Sequence, residues 1–210
     1  MIPIELQSIV SNLIDQPITL TAFHSNDGRI NSSLNELQII NCIQNFSFGF
    51  EIKIGREREW FDFAIKTEDR FYPVNIKVTD TTHADNLNCK LGIYYALTGN
   101  IPDFANEIKW ESYFDKLNIH MGNQTTADYY FLVLNKQNPK DVFANTLRSL
   151  TILQPNGNNL PFQCRWDLNR QPMNRTFNDA KDFIMRVFGD SIKQRAKIYL
   201  SFETRFPDYV

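Results

Sequence analysis

Two runs of alternating residues, 60–66 and 71–78, lie four residues apart and constrain the fold more than any other part of the chain. Period-two alternation of apolar and polar side chains marks a half-buried strand, and so short a connection joins antiparallel neighbours. A turn centred on Glu68 and Asp69 sets Asp62 opposite Asn75. Lys77 then falls opposite Trp60, diagonal to Asp62. Asp62, Asn75 and Lys77 share one sheet face, while Phe61, Phe63, Val74, Ile76 and Val78 point the other way into core. A carboxylate, an amide and an ammonium in mid-strand are costly unless they bind each other or a ligand.

A third alternating run comes just before. Phe46, Phe48, Phe50, Ile52 and Ile54 fall on one face, Glu51 and Lys53 on the other. Three strands in succession with short turns predict an antiparallel meander. Helical spacing covers residues 4–14 (Ile4, Leu6, Ile9, Val10, Leu13, Ile14) and a stretch ending near Asn45 (Leu34, Leu37, Ile40, Ile43). The second helix follows a turn at Asn26-Asp27-Gly28 and takes Ser32-Ser33 as its cap. Residues 84–97 read as a helix ended by Gly99. Residues 129–134 read as a fully buried strand, which a helical crossover brings in parallel to a meander strand. Further helices are expected near 141–150 and 178–188, a strand near 196–202, and a loop at Asn156–Asn159. The expected fold class is α/β (α+β): a central mixed β-sheet flanked by helices. Its order is αβββαβ over a core of about residues 32–135, within one domain of residues 1–210.

Charge divides the chain unevenly. The formal total is −2, from 22 Lys/Arg and 24 Asp/Glu, but residues 1–135 carry −7 and residues 136–210 carry +5. A basic C-terminal third beside an acidic core suits a polyanion-binding lobe next to a cation site. No apolar stretch approaches the roughly 20 residues that span a bilayer, and the first residues lack the pattern of a signal peptide. A cytoplasmic protein with no membrane partner is expected. Cys42, Cys89 and Cys164 are too scattered for a disulfide framework or a zinc site and read as buried thiols. His24, His83 and His120 lack zinc-ligand spacing.

The chemistry that wants Asp, Asn and Lys in this arrangement is phosphodiester hydrolysis. Oxygen ligands on adjacent strands hold a hard cation near the scissile phosphate, and a lysine orients or deprotonates the attacking water. The element order, with Asp62 on the second strand and Asn75-Ile76-Lys77 on the third, resembles the PD-(D/E)XK nuclease superfamily. The phrase Tyr72-Pro73-Val74-Asn75-Ile76-Lys77-Val78-Thr79, followed by Thr82-His83-Ala84-Asp85-Asn86, resembles bacterial type II restriction endonucleases.

That resemblance implies a Mg²⁺-dependent, site-specific deoxyribonuclease acting as a homodimer on double-stranded DNA. It implies catalytic roles for Asp62, Asn75, Lys77 and Glu36, with Asp62, Asn75 and Glu36 on the metal. Glu51 is a second candidate for the added glutamate. The chain departs from the family at Asn75, where Asp or Glu is usual; an amide oxygen brings no charge, so cation affinity should fall. Thr79, Thr82 and His83 are expected to open a helix whose N-terminus binds phosphate. Arg165, Asn169, Arg170, Gln171, Asn174 and Arg175 are expected to contact DNA, since Arg suits guanine and Asn or Gln suits adenine. Two other readings stand beside this one: a DNA-binding protein that keeps the fold without the chemistry, and a monomeric repair nickase.

Overall fold

The computed structural model describes residues 1–18, 20, 28–104, 108–122 and 124–210, without the side chains of residues 28–33. His24 and the expected turn at Asn26-Asp27 lie outside the described residues, as do the capping side chains of Ser32 and Ser33. In chain order come α1 (Ile4–Asp15), α2 (Gly28–Asn45), β1 (Glu51–Ile54), β2 (Phe63–Lys66), β3 (Phe71–Thr79), β4 (Ala84–Leu87), α3 (Lys90–Thr98) and α4 (Trp110–His120). They are followed by β5 (Tyr130–Asn135), β6 (Asn138–Thr146), β7 (Gln154–Pro155), β8 (Phe162–Arg165) and α5 (Phe177–Arg205).

The main sheet is mixed, with strand order β1-β2-β3-β5-β6. β1, β2 and β3 form the antiparallel meander, and β5 lies parallel to β3 across the helical crossover, both as the sequence predicts. From Phe63 to Lys66 the hairpin register is the expected one, Phe63 pairing with Val74; ahead of it the ladder slips, and the Asp62 N–H donates to the Val74 carbonyl at 3.0 Å where pairing with Asn75 was expected. A second sheet, ordered β4-β8-β7, stands beside the first.

Helices cover both faces of the main sheet. α1 and α2 bury Leu6, Ile9, Leu13, Ile39 and Ile43 against Phe63, Ile65, Val74, Ile76 and Leu132. Phe46, Phe48, Phe50, Ile52 and Ile54 pack there too, on the single face their alternation predicts. On the other face Ala64, Phe131 and Val133 meet α3, α4, α5 and the second sheet through Ile93, Tyr113, Ile184, Phe188 and Trp166. Among the described residues no helix is long and apolar enough to cross a membrane.

Several boundaries differ from expectation. The first strand is regular only from Glu51 and the second only from Phe63. Residues 60–62 bend instead of continuing the pleat, so Phe61 enters the core opposite to that of Phe63. Residues 84–97 are not one helix: β4 pairs with β8, some 80 residues away, before α3 starts at Lys90. The helix expected near 141–150 is strand β6, which extends the sheet beside β5. The strand expected near 196–202 is the continuation of α5. Propagating an existing helix adds one hydrogen bond per residue without a new nucleus, and this outweighs the β propensity of Ile198, Tyr199 and Phe202.

α3 is pressed tightly against the sheet. Gly99 closes it with a left-handed φ of 74°, its N–H donating to the Tyr95 carbonyl at 2.8 Å. A Cβ added at Gly92 would come within 2.6 Å of the Tyr129 ring, which is buried and tied by its hydroxyl to the Trp60 carbonyl at 2.7 Å. Gly92→Ala should therefore destabilise the protein by about 1–3 kcal/mol despite alanine's better helix propensity. Equilibrium urea unfolding measures this, and an unchanged midpoint would show that α3 can shift freely.

Candidate functional site

β3 is hydrogen-bonded on both edges, and its alternation sends Val74 and Ile76 into one core and Asn75 and Lys77 toward the other. Asp62, just ahead of β2, meets them from the neighbouring strand. Its Oδ2 accepts from the Ile76 N–H at 2.5 Å and from Asn75 Nδ2 at 2.8 Å. Among the described residues no hydrogen bond reaches its Oδ1. Burial pushes the Asp62 carboxyl up; the Ile76 N–H and the Lys77 charge pull it down but do not cancel the burial.

Lys77 is largely enclosed, with 17% of its side chain exposed. Its Nζ donates to the Asn86 carbonyl at 3.2 Å and stands 4.0 Å from Asp85 Oδ1. Asp85 is itself fixed, because the fully buried Trp166 donates from Nε1 to its Oδ2 at 2.8 Å. Asn156 Nδ2 bridges Asn86 Oδ1 and Gln163 Oε1, both at 2.8 Å, and its N–H donates to Ser191 Oγ on α5 at 3.0 Å. The lysine thus lies between a half-buried carboxylate on one strand and a fixed carboxylate and an amide cluster on the second sheet. Cys89 and Cys164 are buried nearby with their thiols pushed up by desolvation, Cys89 to about 12, so neither is a nucleophile at neutral pH.

The structure brings Asp62 onto Asn75 and within the electrostatic reach of Lys77, but from the bend at 60–62 and not through the predicted Asp62–Asn75 strand pair. Glu36 is half-buried on α2, whose Ile39 and Ile43 cover the sheet face opposite to Asn75 and Lys77. Its role in the site rests on the family resemblance. Glu51 is exposed and lies 3.7 Å from Lys66 on the outer hairpin. Asp85, Asn86, Asn156 and Trp166 were not predicted as site residues. β4 and β8 are each only four residues long and pair across a wide gap in the chain, so no local period announces them.

The segment after β3 is a turn into a strand, not the start of a helix. Asp80 Oδ1 accepts from the N–H groups of Thr82 and His83 at 3.2 and 3.1 Å, and Asp80 Oδ2 bonds His83 Nδ1 at 2.7 Å. The His83 N–H is the main cause that holds the Asp80 carboxyl below its usual range. Thr79, Thr82 and His83 therefore have no helix N-terminus to offer a phosphate. This turn is nonetheless tied to the second candidate stretch: the Asp167 N–H donates to the Thr81 carbonyl at 3.0 Å, and Ala84 pairs with Arg165.

Within that stretch Asn169 is a correction. It is 0% exposed, and its side-chain amide bonds the backbone of Ile152 and Arg165, so it holds the fold and cannot reach a base. Arg165 is forked onto Asp167, and Arg170 onto Asp141 at 2.6 Å through both terminal nitrogens. Arg175 donates to the carbonyls of Leu150 and Thr151 and stacks on Phe183. Gln171 and Asn174 are exposed. Much of the basic excess of the C-terminal third is thus matched by carboxylates or carbonyls of the same chain.

Comparison of the chain with models of known protein families and with curated protein sequences gives no match.

A carboxylate that burial destabilises in its charged form should be relieved by neutralisation. Asp62→Asn should unfold at higher urea than the parent protein at pH 7. The parent's deficit comes from a carboxyl whose folded pKa is raised, so it is present when Asp62 is ionised and vanishes as the pH falls below the ordinary carboxylate range. Unfolding curves at pH 7 and near pH 4 measure this. A less stable Asp62→Asn protein at pH 7 would mean that the bonds to Ile76 and Asn75 outweigh the burial.

Proposed function

We infer that this chain is a Mg²⁺-dependent, site-specific endonuclease for double-stranded DNA, of the type II restriction class. The observation that carries the reading is the apposition of Asp62, Asn75 and Lys77 on neighbouring strands. Among the described residues it leaves one Asp62 oxygen without a hydrogen bond, within the electrostatic reach of an enclosed lysine. The meander with a parallel strand across a helical crossover supports it, because it is the element order that the resemblance implies. In this reading the setting is the bacterial cytoplasm, and two copies present two sites to a palindrome.

The donor set is compatible with Mg²⁺, which binds through one or two carboxylates together with substrate phosphate and retained waters. Asp62 would supply the carboxylate oxygen and Asn75 its amide oxygen; α2 covers the opposite sheet face, so Glu36 is not placed to add a third. Among the described residues no cluster of three acidic, cysteine or histidine side chains forms a cage for a metal alone. When bound, Mg²⁺ would polarise the phosphoryl oxygen and offset charge on the leaving 3′-oxygen. Lys77 has three N–H donors and gives one to Asn86, which leaves two for a phosphate oxygen and an attacking water. Asp85 and Asn86 hold that ammonium in place. Thr82, His83, Gln171 and Asn174 are exposed for DNA, and Arg165 and Arg170 reach it by exchanging Asp167 and Asp141 for phosphate or guanine.

The binding-only reading has its own observation. Asn75 turns its Nδ2 to Asp62, so its amide must flip before its oxygen can share a cation with that carboxylate.

Incubation with long natural DNA should give discrete fragments with Mg²⁺ and none with chelator. Asp62→Ala and Lys77→Ala should abolish cutting while DNA retention in a gel-shift assay survives. A smear would mean a nonspecific nuclease, and nicks without double-strand breaks a nickase. Intact DNA with Mg²⁺ and Mn²⁺ across several DNA sources would favour the binding-only protein.

Asn75→Asp adds a charged oxygen ligand, so it should bind divalent cation more tightly than the parent in a calorimetric titration. Indistinguishable titrations would remove Asn75 from the set of metal ligands.

A further inference from the structure

α5 is 29 residues long, yet only about its first two thirds lies on the body of the protein. Thr176 caps it, accepting from the Asp179 N–H at 3.2 Å, and Ala180, Ile184, Phe188 and Ser191 are buried. These four positions step by four, four and three residues, which is one face of an α-helix. The same face continues without a break through Arg195, Ile198, Phe202 and Phe206. The body follows it only as far as Ile198, which with Lys197 borders a shallow cleft beside Pro155 and Gly157. Arg195 makes the last described hydrogen bonds to the body, to the carbonyls of Gly157 and Asn158 at 2.7 and 2.9 Å. Every residue from 193 to 210 is exposed. Ten helical residues beyond Arg195 project about 15 Å.

The overhang is apolar on the face where the buried part is apolar. Ile198 is 56% exposed, Tyr199 55%, Phe202 45% and Phe206 49%. Tyr209 and Val210 extend the patch past the helix end, at 79% and 59%. With side-chain areas of roughly 150–250 Å² apiece, the four aromatic groups alone expose on the order of 450 Å², to which Ile198 and Val210 add. With them the patch stands at the upper end of the largest patches on monomers, about 300–600 Å², which are often functional. It approaches the roughly 800 Å² that each partner buries in a stable interface.

We propose that this overhanging last third of α5 is a self-association arm, and that a second copy of this chain covers it through antiparallel pairing of the two stripes about a twofold axis. Three observations select a second copy. The exposed area suits a standard two-chain interface when doubled. A twofold contact needs one patch that matches itself, and a single apolar helical stripe does so. The arm is also nearly neutral, since residues 198–210 carry Glu203, Arg205 and Asp208, so neither DNA phosphate nor an anionic surface has a charge to match there. Arg195 does not interrupt the stripe, because its guanidinium is turned onto its own chain's loop. The inference stands whether or not the chain cuts DNA.

Sedimentation equilibrium of the whole chain across a range of concentrations tests it. The parent protein should be a dimer. Ile198→Asp and Phe202→Asp should each raise the dimer dissociation constant by about 100-fold or more, because each change occurs twice in the interface. Both side chains are half exposed on the overhang, so far-UV circular dichroism and the urea midpoint of the monomer should not move. Lys193→Glu, off the stripe, should leave the dimer intact. A monomeric parent at every concentration would assign the stripe to a different protein or to chain beyond residue 210, and would overturn the proposal. A dimer that survives both Asp substitutions would overturn it equally, by placing the interface elsewhere.

Discussion

The alternation of β3 is the constraint on which the rest of the structure depends. This strand is paired on both edges, antiparallel to β2 and parallel to β5, so its backbone cannot shift without breaking two ladders. A slip of one residue would drive Asn75 and Lys77 into the core now filled by Val74 and Ile76, and would expose those two apolar side chains beside Asp85 and Asn86. Both cores therefore depend on the same register. The polar triad is held at its place by the hydrophobic groups behind it, and its own bonds to Asp62 are a small part of what fixes the geometry.

That arrangement explains why a costly cluster persists. Asp62 is kept partly desolvated and Lys77 largely enclosed, and each of Asp85 and Asn86 is fixed by a partner on another element. Proteins that only need stability fill such positions with apolar groups. A charged group disfavoured by its surroundings, next to an enclosed cation, is the pattern expected where structure is given up for binding or chemistry. The amide at position 75 moderates this cost, since a second carboxylate there would repel Asp62.

The hairpin was readable in the sequence because everything that sets it is local. The four-residue connection fixes the pairing from Phe63 on, and period-two alternation assigns the faces of β3, which puts Asn75 and Lys77 together; the bend at 60–62, which sends Phe61 to the other core, left no such mark. The neighbours of the triad were not readable, for an equally physical reason. β4 is held by β8, and Trp166 reaches Asp85 across 81 residues, contacts that leave no periodic trace. Asn169 misled because an Asn in a polar stretch looks available, whereas this one satisfies the backbone of two other segments from a fully buried position. Arg165 and Arg170 show the same limit: sequence counts their charge, but only the fold shows the carboxylates that already hold it.

α5 marks the boundary between what a domain needs and what lies beyond it. Its apolar stripe has the same period before and after Arg195, so local physical chemistry does not distinguish the two parts. The body ends and the pattern does not. Read as short segments, residues 196–202 resemble a strand because Ile198, Tyr199 and Phe202 favour one. Read as the continuation of 177–195 they form a helix whose apolar stripe is left exposed. A stripe that simply ended with the core would need no Ile198, Phe202 or Phe206. Polar residues there would leave the body's packing unchanged and remove an aggregation hazard. In the proposed pairing a second copy would present the overhang with a surface of the same length and the same apolar character.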